Sequence, residues 1–293
     1  MTTLRIGLGQ LAPRLGDLDA NLELHRAAMA DASRQAVDLL VFPELGLTGY
    51  LLQDLNAEVA LRRDDPRLLA LAADSAGMSV IVGFVERSDD EQLFISAALM
   101  EEGELRHVYR KSYLPNYGLF DERRFFGTGT QLRAVDSRLG VRLGVCICED
   151  FWHLPVPYLL ALDGAQILVN IASSPGRDVA AVVDGGLGTA TSWRTIMRAY
   201  AQLTTCFVVF VNRVGVEESV TFWGGSQVID PAGEVVFEAP LLDAGLHVVE
   251  VELDSIRRER TALPLLRDER PEFVLRQLER MVREQAGMAE NDG

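Results

Sequence analysis

Three side chains of unlike chemistry stand at the ends of apolar or strand-like runs in this chain: an acid, an amine and a thiol. Glu44 closes Leu39-Leu40-Val41-Phe42-Pro43, Lys111 follows the segment from Glu104 to Arg110, and Cys148 closes Val145-Cys146-Ile147. Ligands of α/β sheets bind at the carboxyl ends of strands, and an acid at such an end is placed to take a proton from a thiol. Of 28 basic side chains, 27 are arginine and only Lys111 is lysine. A compact ammonium serves where a forked, permanently charged guanidinium does not; the alternative is a chance survivor in an arginine-rich chain. Cys148 also has an inert reading, because free cysteine is most often a small buried hydrophobe, as suits Cys146 and Cys206. On a regular strand Cys146 and Cys148 point to one side, so alternation does not choose between them.

Other chemistries find less support. Gly7-Leu8-Gly9-Gln10-Leu11-Ala12 fits a dinucleotide fingerprint, but Pro13 stands where the phosphate-binding helix should be under way. No Walker loop or G-x-S-x-G elbow occurs, and Gly224-Gly225-Ser226 lacks the flanking pattern of the latter. Of four scattered histidines, His153 alone is near a thiol, which leaves a Cys148–His153 dyad or a surface histidine. Cys146 and Cys148 have no second pair for zinc, and no metal or cofactor is expected.

The elements that must position these groups alternate between strand and helix. Strands are predicted over residues 4–10, 37–44, 79–87, 95–101, 104–110, 142–148, 166–171, 206–212, 225–229, 234–237 and 245–251, and helices over 21–35, 66–77, 155–163 and 189–204. Asp19 is the expected N-cap of the first helix; Glu102-Gly103 and Asp230-Pro231-Ala232-Gly233 are hairpin turns. This rhythm argues an α/β protein with mixed sheets. No linker divides residues 1–253, and 254–293 form a helical tail with Leu275, Leu278 and Val282 on one face, expected to pack on its own domain or a sister subunit. With 48% hydrophobic residues and no run of eighteen, a sizeable core forms and a spanning helix does not. No secretory signal opens the chain, so a cytoplasmic location is expected. A formal net charge of −15 argues against nucleic acid as partner.

Three separated segments resemble the nitrilase, or carbon–nitrogen hydrolase, superfamily: Phe42-Pro43-Glu44-Leu45 with Gly49-Tyr50, Tyr109-Arg110-Lys111 through Asp121-Glu122, and Ile147-Cys148-Glu149-Asp150. The resemblance implies an αββα sandwich and a Glu44–Lys111–Cys148 triad, with Glu122 as a second glutamate that fixes the lysine and the substrate's amide nitrogen. Within the superfamily, the stretch from Lys111 to Phe126 and Ile147-Cys148-Glu149-Asp150-Phe151-Trp152 resemble the glutaminase domain of glutamine-dependent NAD synthetase. The synthetase's pyrophosphate loop is missing, and Phe222-Trp223-Gly224-Gly225-Ser226 reads more like free-standing amidases. Cys148 is thus expected to attack a small linear amide or ω-amide, glutamine among them, forming an acyl-enzyme and releasing ammonia. Tyr117, Glu149, Ser173, Ser174 and Arg177 are expected to bind substrate, Arg177 through a substrate carboxylate. The alternatives are an ammonia-supplying glutaminase subunit of a separate synthetase and an inactive binding protein on the same fold. A homodimer or larger assembly is expected from the family.

Overall fold

The computed structural model describes residues 3–176 and 188–291. In chain order its elements are β1 (Thr3–Gln10), α1 (Leu18–Arg34), β2 (Leu39–Val41), α2 (Asn56–Val59), α3 (Pro66–Ala73), β3 (Ser79–Arg87), β4 (Leu93–Glu101), β5 (Glu104–Arg110), β6 (Ala134–Asp136), β7 (Arg142–Ile147), α4 (Pro155–Leu162), β8 (Ile167–Ala172), α5 (Gly188–Thr204), β9 (Phe207–Asn212), β10 (Val214–Glu217), β11 (Val220–Trp223), β12 (Gln227–Ile229), β13 (Val235–Glu238), β14 (Gly245–Glu252), α6 (Asp254–Ala262), α7 (Leu265–Asp268) and α8 (Pro271–Asn291).

The strands form two six-stranded mixed sheets, ordered β14-β1-β2-β3-β4-β5 and β13-β12-β9-β8-β7-β6. Parallel pairs occupy the centre of each, β1–β2–β3 in one and β7–β8–β9 in the other. Both faces of these central strands are covered, which is why they read as continuous apolar runs. Ile6, Leu8, Val41 and Ile81 join Leu143, Val145 and Val169 in the core shared by the two sheets. Leu40, Phe42, Val80 and Val82 belong instead to an outer core with Leu22 and Met29 of α1 and Leu68 and Leu71 of α3. With α4 and α5 against the second sheet, the layers run αββα.

Several local expectations are corrected. Helix α1 is capped by Asp17, whose carboxylate accepts the Ala20 N–H at 3.1 Å, while Asp19 lies inside the first turn where it favours the helix dipole. Strand β2 has three residues rather than eight, because the chain turns away through Phe42 and Pro43. The Glu102-Gly103 turn forms with both φ positive, 55° and 81°, as a tight hairpin requires. The β10–β11 hairpin forms in a stretch whose residue pattern predicts no element. In the tail, Ile256 of α6 is buried and Arg260 Nη2 donates to Ala165 O at 2.9 Å. Leu275, Leu278 and Val282 of α8 are all more than half exposed, at 57%, 55% and 64%, so this face does not pack on its own domain. Among the described residues no helix is long and apolar enough to cross a membrane.

Candidate active site

The acid side is built by tight backbone approach. As the chain leaves β2, Pro43 O and the Glu44 backbone lie against Gly83 of β3; a Cβ there would meet Pro43 O at 2.5 Å, so only glycine admits this turn. Glu44 is wholly buried and fully engaged. Its Oε1 accepts from Lys111 Nζ at 2.7 Å, its Oε2 from the Ser173 N–H at 2.8 Å, and its carbonyl from Ser173 Oγ at 2.8 Å. Lys111 follows β5 directly and is held by its N–H to Ile95 O and by its carbonyl, which accepts from Gly129 N. Its Nζ also donates to Glu122 Oε1 at 2.8 Å. Tyr50 Oη donates to that same oxygen at 2.6 Å, and Glu122 Oε2, also buried, has no partner among the described residues.

Two carboxylates and one ammonium therefore share a closed space. Burial works to strip Lys111 of its proton, but Glu122 and Glu44 outweigh it and hold the ammonium well above the usual lysine range. Burial raises Glu122 to about 7; Lys111 opposes that and Glu44 adds to it. Tyr50 is pushed well above the ordinary phenol range by burial and by these carboxylates, so it remains a donor.

The thiol side is an elbow. Strand β7 ends at Ile147, and Cys148 takes a left-handed backbone, φ +46°, at the start of a 3₁₀ turn running to Trp152. This separates the two cysteines that strand alternation left equivalent: Cys146 stays in the strand, fully buried, and Cys148 lines a cavity. Asp150 holds the elbow. Its carboxylate accepts the Ile147 N–H at 2.9 Å, the Ser112 and Tyr113 N–H groups at 3.1 and 2.9 Å, and Tyr109 Oη at 2.8 Å. It thereby ties the cysteine to the segment that carries Lys111. Burial raises Asp150 to about 6 against these hydrogen bonds. Burial, Glu44 and Glu122 push the Cys148 thiol well above its ordinary range, and Lys111 offsets only part of that.

The cavity measures about 330 Å³ and is walled by Tyr117, Phe120, Trp152 and Trp193, with Glu149 and Ser174 beside Cys148. Tyr117 Oη donates to Glu149 at 2.9 Å. Ser174 Oγ accepts from Trp193 Nε1 at 2.9 Å and Trp223 Nε1 at 3.3 Å. Two donors fill its two lone pairs, which leaves its own O–H as the group it can offer. Ser173 does not reach this wall: it is fully buried behind Glu44, and both its polar groups are engaged there. Arg177 lies outside the described residues. His153 stacks on Tyr113 at 3.6 Å, with Nε2 3.7 Å from Glu149, which gives it a place other than a dyad with Cys148. Gly9 packs under Phe42, whose ring a Cβ would meet at 2.6 Å, so this glycine admits an aromatic ring rather than a phosphate.

Residues 5–261 match the family model for carbon–nitrogen hydrolases. The chain belongs to that family. It is 36% identical over 262 residues to the glutamine-dependent NAD(+) synthetase of Thermotoga maritima, a match covering 87% of this chain and 43% of that protein. The chain thus spans less than half the length of such relatives. It is 34% identical to an (R)-stereoselective amidase from a Pseudomonas species, over 91% of this chain and 92% of the amidase. Among solved structures, an amidase from a Nesterenkonia species superposes with a TM-score of 0.77 at 29% identity, over 94% and 96% of the two chains. One structure of that amidase carries acrylamide added at its active-site cysteine.

The candidate site of this carbon–nitrogen hydrolase also holds residues that sequence patterns do not single out. Tyr50 and Asp150 lie in the recognised segments, but a buried hydrogen bond leaves no periodic signal. The paired indoles on Ser174 come from Trp193 and Trp223, distant in sequence, and only the fold brings them together.

Proposed function

We propose that this chain hydrolyses the C–N bond of a small linear amide through an acyl-enzyme on Cys148 and releases ammonia. The observation that carries the reading is the closed cluster of Glu44, Lys111 and Glu122, whose charges act on the Cys148 thiol that lines the cavity. With the thiol held neutral, attack needs a base at the moment of reaction, and Glu44 fills that role. Sulfur bonds to the carbonyl carbon as its proton passes to Glu44. The oxyanion is stabilised by the Lys111 ammonium and the backbone N–H after Cys148. Collapse breaks the C–N bond while Glu44 returns the proton to the leaving nitrogen. Water, deprotonated by Glu44, then attacks the thioester and frees acid and thiol. Glu122 Oε2 accepts an N–H of the substrate amide.

The wall favours the substrate's shape and charge. Aromatic rings suit a slim, partly apolar chain, and Ser174 donates to one of its oxygens. Glu149 is the one charged side chain among the described residues of the wall. A neutral amide, or an ω-amide whose ammonium meets Glu149, fits this lining; glutamine belongs to the second group. The similarity to NAD(+) synthetases favours a second reading, an ammonia-supplying glutaminase subunit working with a separate synthetase. We also read the chain as a homodimer or larger, the exposed apolar residues of α8 supplying contact surface, which light scattering of the intact chain tests. Three free, buried cysteines suit a reducing cytosol.

The test is ammonia release from glutamine, a panel of ω-amides and carbamoyl compounds, by wild type, Cys148→Ala and Cys146→Ala. Release from glutamine that Cys148→Ala abolishes supports the glutaminase reading; release from other amides alone supports the free-standing amidase. Activity that survives Cys148→Ala overturns the mechanism.

A further inference from the structure

Hairpin β10–β11 takes no part in the chemistry above, yet one of its side chains reaches across to the acid side. Glu217, buried at the end of β10, accepts the Tyr50 N–H at 3.0 Å and the Leu51 N–H at 2.9 Å through Oε2. Arg213 donates Nη1 to its Oε1. Arg213 is buried too: its Nη2 donates to Pro13 O at 3.2 Å and its guanidinium lies 4.2 Å over the Phe222 ring. Phe222 in turn stands edge-on to the Tyr50 ring at 6.0 Å.

A buried ion pair is weak evidence for stability, since well-packed apolar groups do as well. A carboxylate here does what an apolar side chain does not. It collects two successive main-chain N–H groups at a point where no strand or helix uses them. The fit is close: Gly49 has φ +81°, and a Cβ there would lie 2.8 Å from Glu217 Oε1. The residue so anchored is Tyr50, whose hydroxyl reaches Glu122 Oε1 alongside Lys111. Rotation about the last bond of a glutamate is soft and two-fold. Two donors on one oxygen remove that freedom and leave the other oxygen, Oε2, without a partner among the described residues.

We propose that Glu217 is a positioning residue for amide hydrolysis: through Tyr50 it fixes the Glu122 carboxylate so that one oxygen stays on Lys111 and the other is presented to the substrate nitrogen. This rests on the amidase reading above. The groups acting on Glu122 are Lys111, Glu44 and Tyr50, and the Tyr50 bond favours its ionised form.

The test compares Glu217→Gln, Tyr50→Phe and the double variant, each checked for an unchanged thermal midpoint. The expected result is a fall in kcat of about tenfold in each single variant, with KM moving about threefold or less. The acid limb of the pH profile moves to higher pH in both, and the double variant is no worse than Tyr50→Phe. Multiplied losses in the double variant, or an unmoved pH profile in Glu217→Gln, overturn the proposal. If Glu217→Gln does not fold, Glu217→Asp keeps the charge beside Arg213 and draws the acceptor back by one methylene; it is held to the same outcomes. A parallel readout needs no substrate: the pH dependence of Cys148 alkylation by iodoacetamide, located by peptide mass mapping. If wild type releases ammonia from no amide, the amidase reading fails. The alkylation profiles then decide separately whether Glu217 and Tyr50 act as one unit.

Discussion

Arg110 and Lys111 are neighbours at the end of β5, and each meets a buried carboxylate in a different company. Arg110 shares Glu86 with Arg63, two cations to one acid, and its guanidinium lies 3.8 Å over the Phe94 ring. Burial works to raise Glu86, but hydrogen bonds from Arg110, Arg63 and Ser96 outweigh it and hold the carboxyl below its usual range. Lys111 shares its single charge between Glu44 and Glu122 in a space closed to water. There one acid is left over: burial raises Glu122, Lys111 opposes that, and Glu44 adds to it. Burial alone does not separate the two clusters. The sign of the surplus does: the arginine cluster has its charge satisfied, whereas the lysine cluster keeps a carboxylate oxygen without a partner among the described residues.

The contrast breaks first on activity. Cys148→Ala and Glu44→Gln should lose about 10⁴-fold or more in kcat/KM, measured as ammonia release. Lys111→Arg keeps the charge but brings a forked group into a slot shaped for a point charge, and a loss of about 10³-fold is expected. Arg110→Lys, one residue away, should stay within about twofold of wild type. Equal losses at positions 110 and 111 would erase the distinction.

Stability sharpens it, with opposite signs. Glu86 has a depressed folded pKa, so it contributes stability at neutral pH that is lost as pH falls through that value. Glu122, raised from 4.5 to about 7, contributes stability that is complete below 4.5 and lost as pH rises through 7. Denaturant unfolding at pH 8 should therefore find Glu86→Gln less stable than wild type, and Glu122→Gln more stable by about 1–3 kcal/mol. The gain in Glu122→Gln should vanish by pH 4.5. The smallest expected effect is at the cavity wall: Ser174→Ala should reduce kcat/KM about tenfold by removing one donor to substrate, with no change in the thiol's alkylation rate.

Sequence patterns reached the alternating strands and helices because these leave local marks; the layers and the candidate reacting groups were legible through the family resemblance. Continuous apolar runs announce doubly covered strands, and Glu44 and Cys148 sit at the ends of two of them, whereas Lys111 follows the mixed edge strand β5. What stayed hidden depends on contacts between distant segments. The β10–β11 hairpin turns at Glu218, φ +52°, followed by Ser219, with none of the Asn-Gly or Asp-Gly signals that betray such turns. Glu217 looks like a surface acid in a charged stretch, and only its buried partner Arg213 and the Tyr50 backbone show otherwise. Ser173 and Ser174 are adjacent and chemically alike, yet one lies behind Glu44 and the other faces the cavity.

The left-handed backbone at Cys148 also constrains what this position can become. Branching at Cβ is a steric outlier at positive φ, so threonine is closed to it, while serine fits without moving the chain. Glycine or asparagine would be at greater ease there than the cysteine itself. A change to either would therefore ease the backbone while removing the thiol that the proposed reaction needs, so the fold and that chemistry ask for different residues at this position.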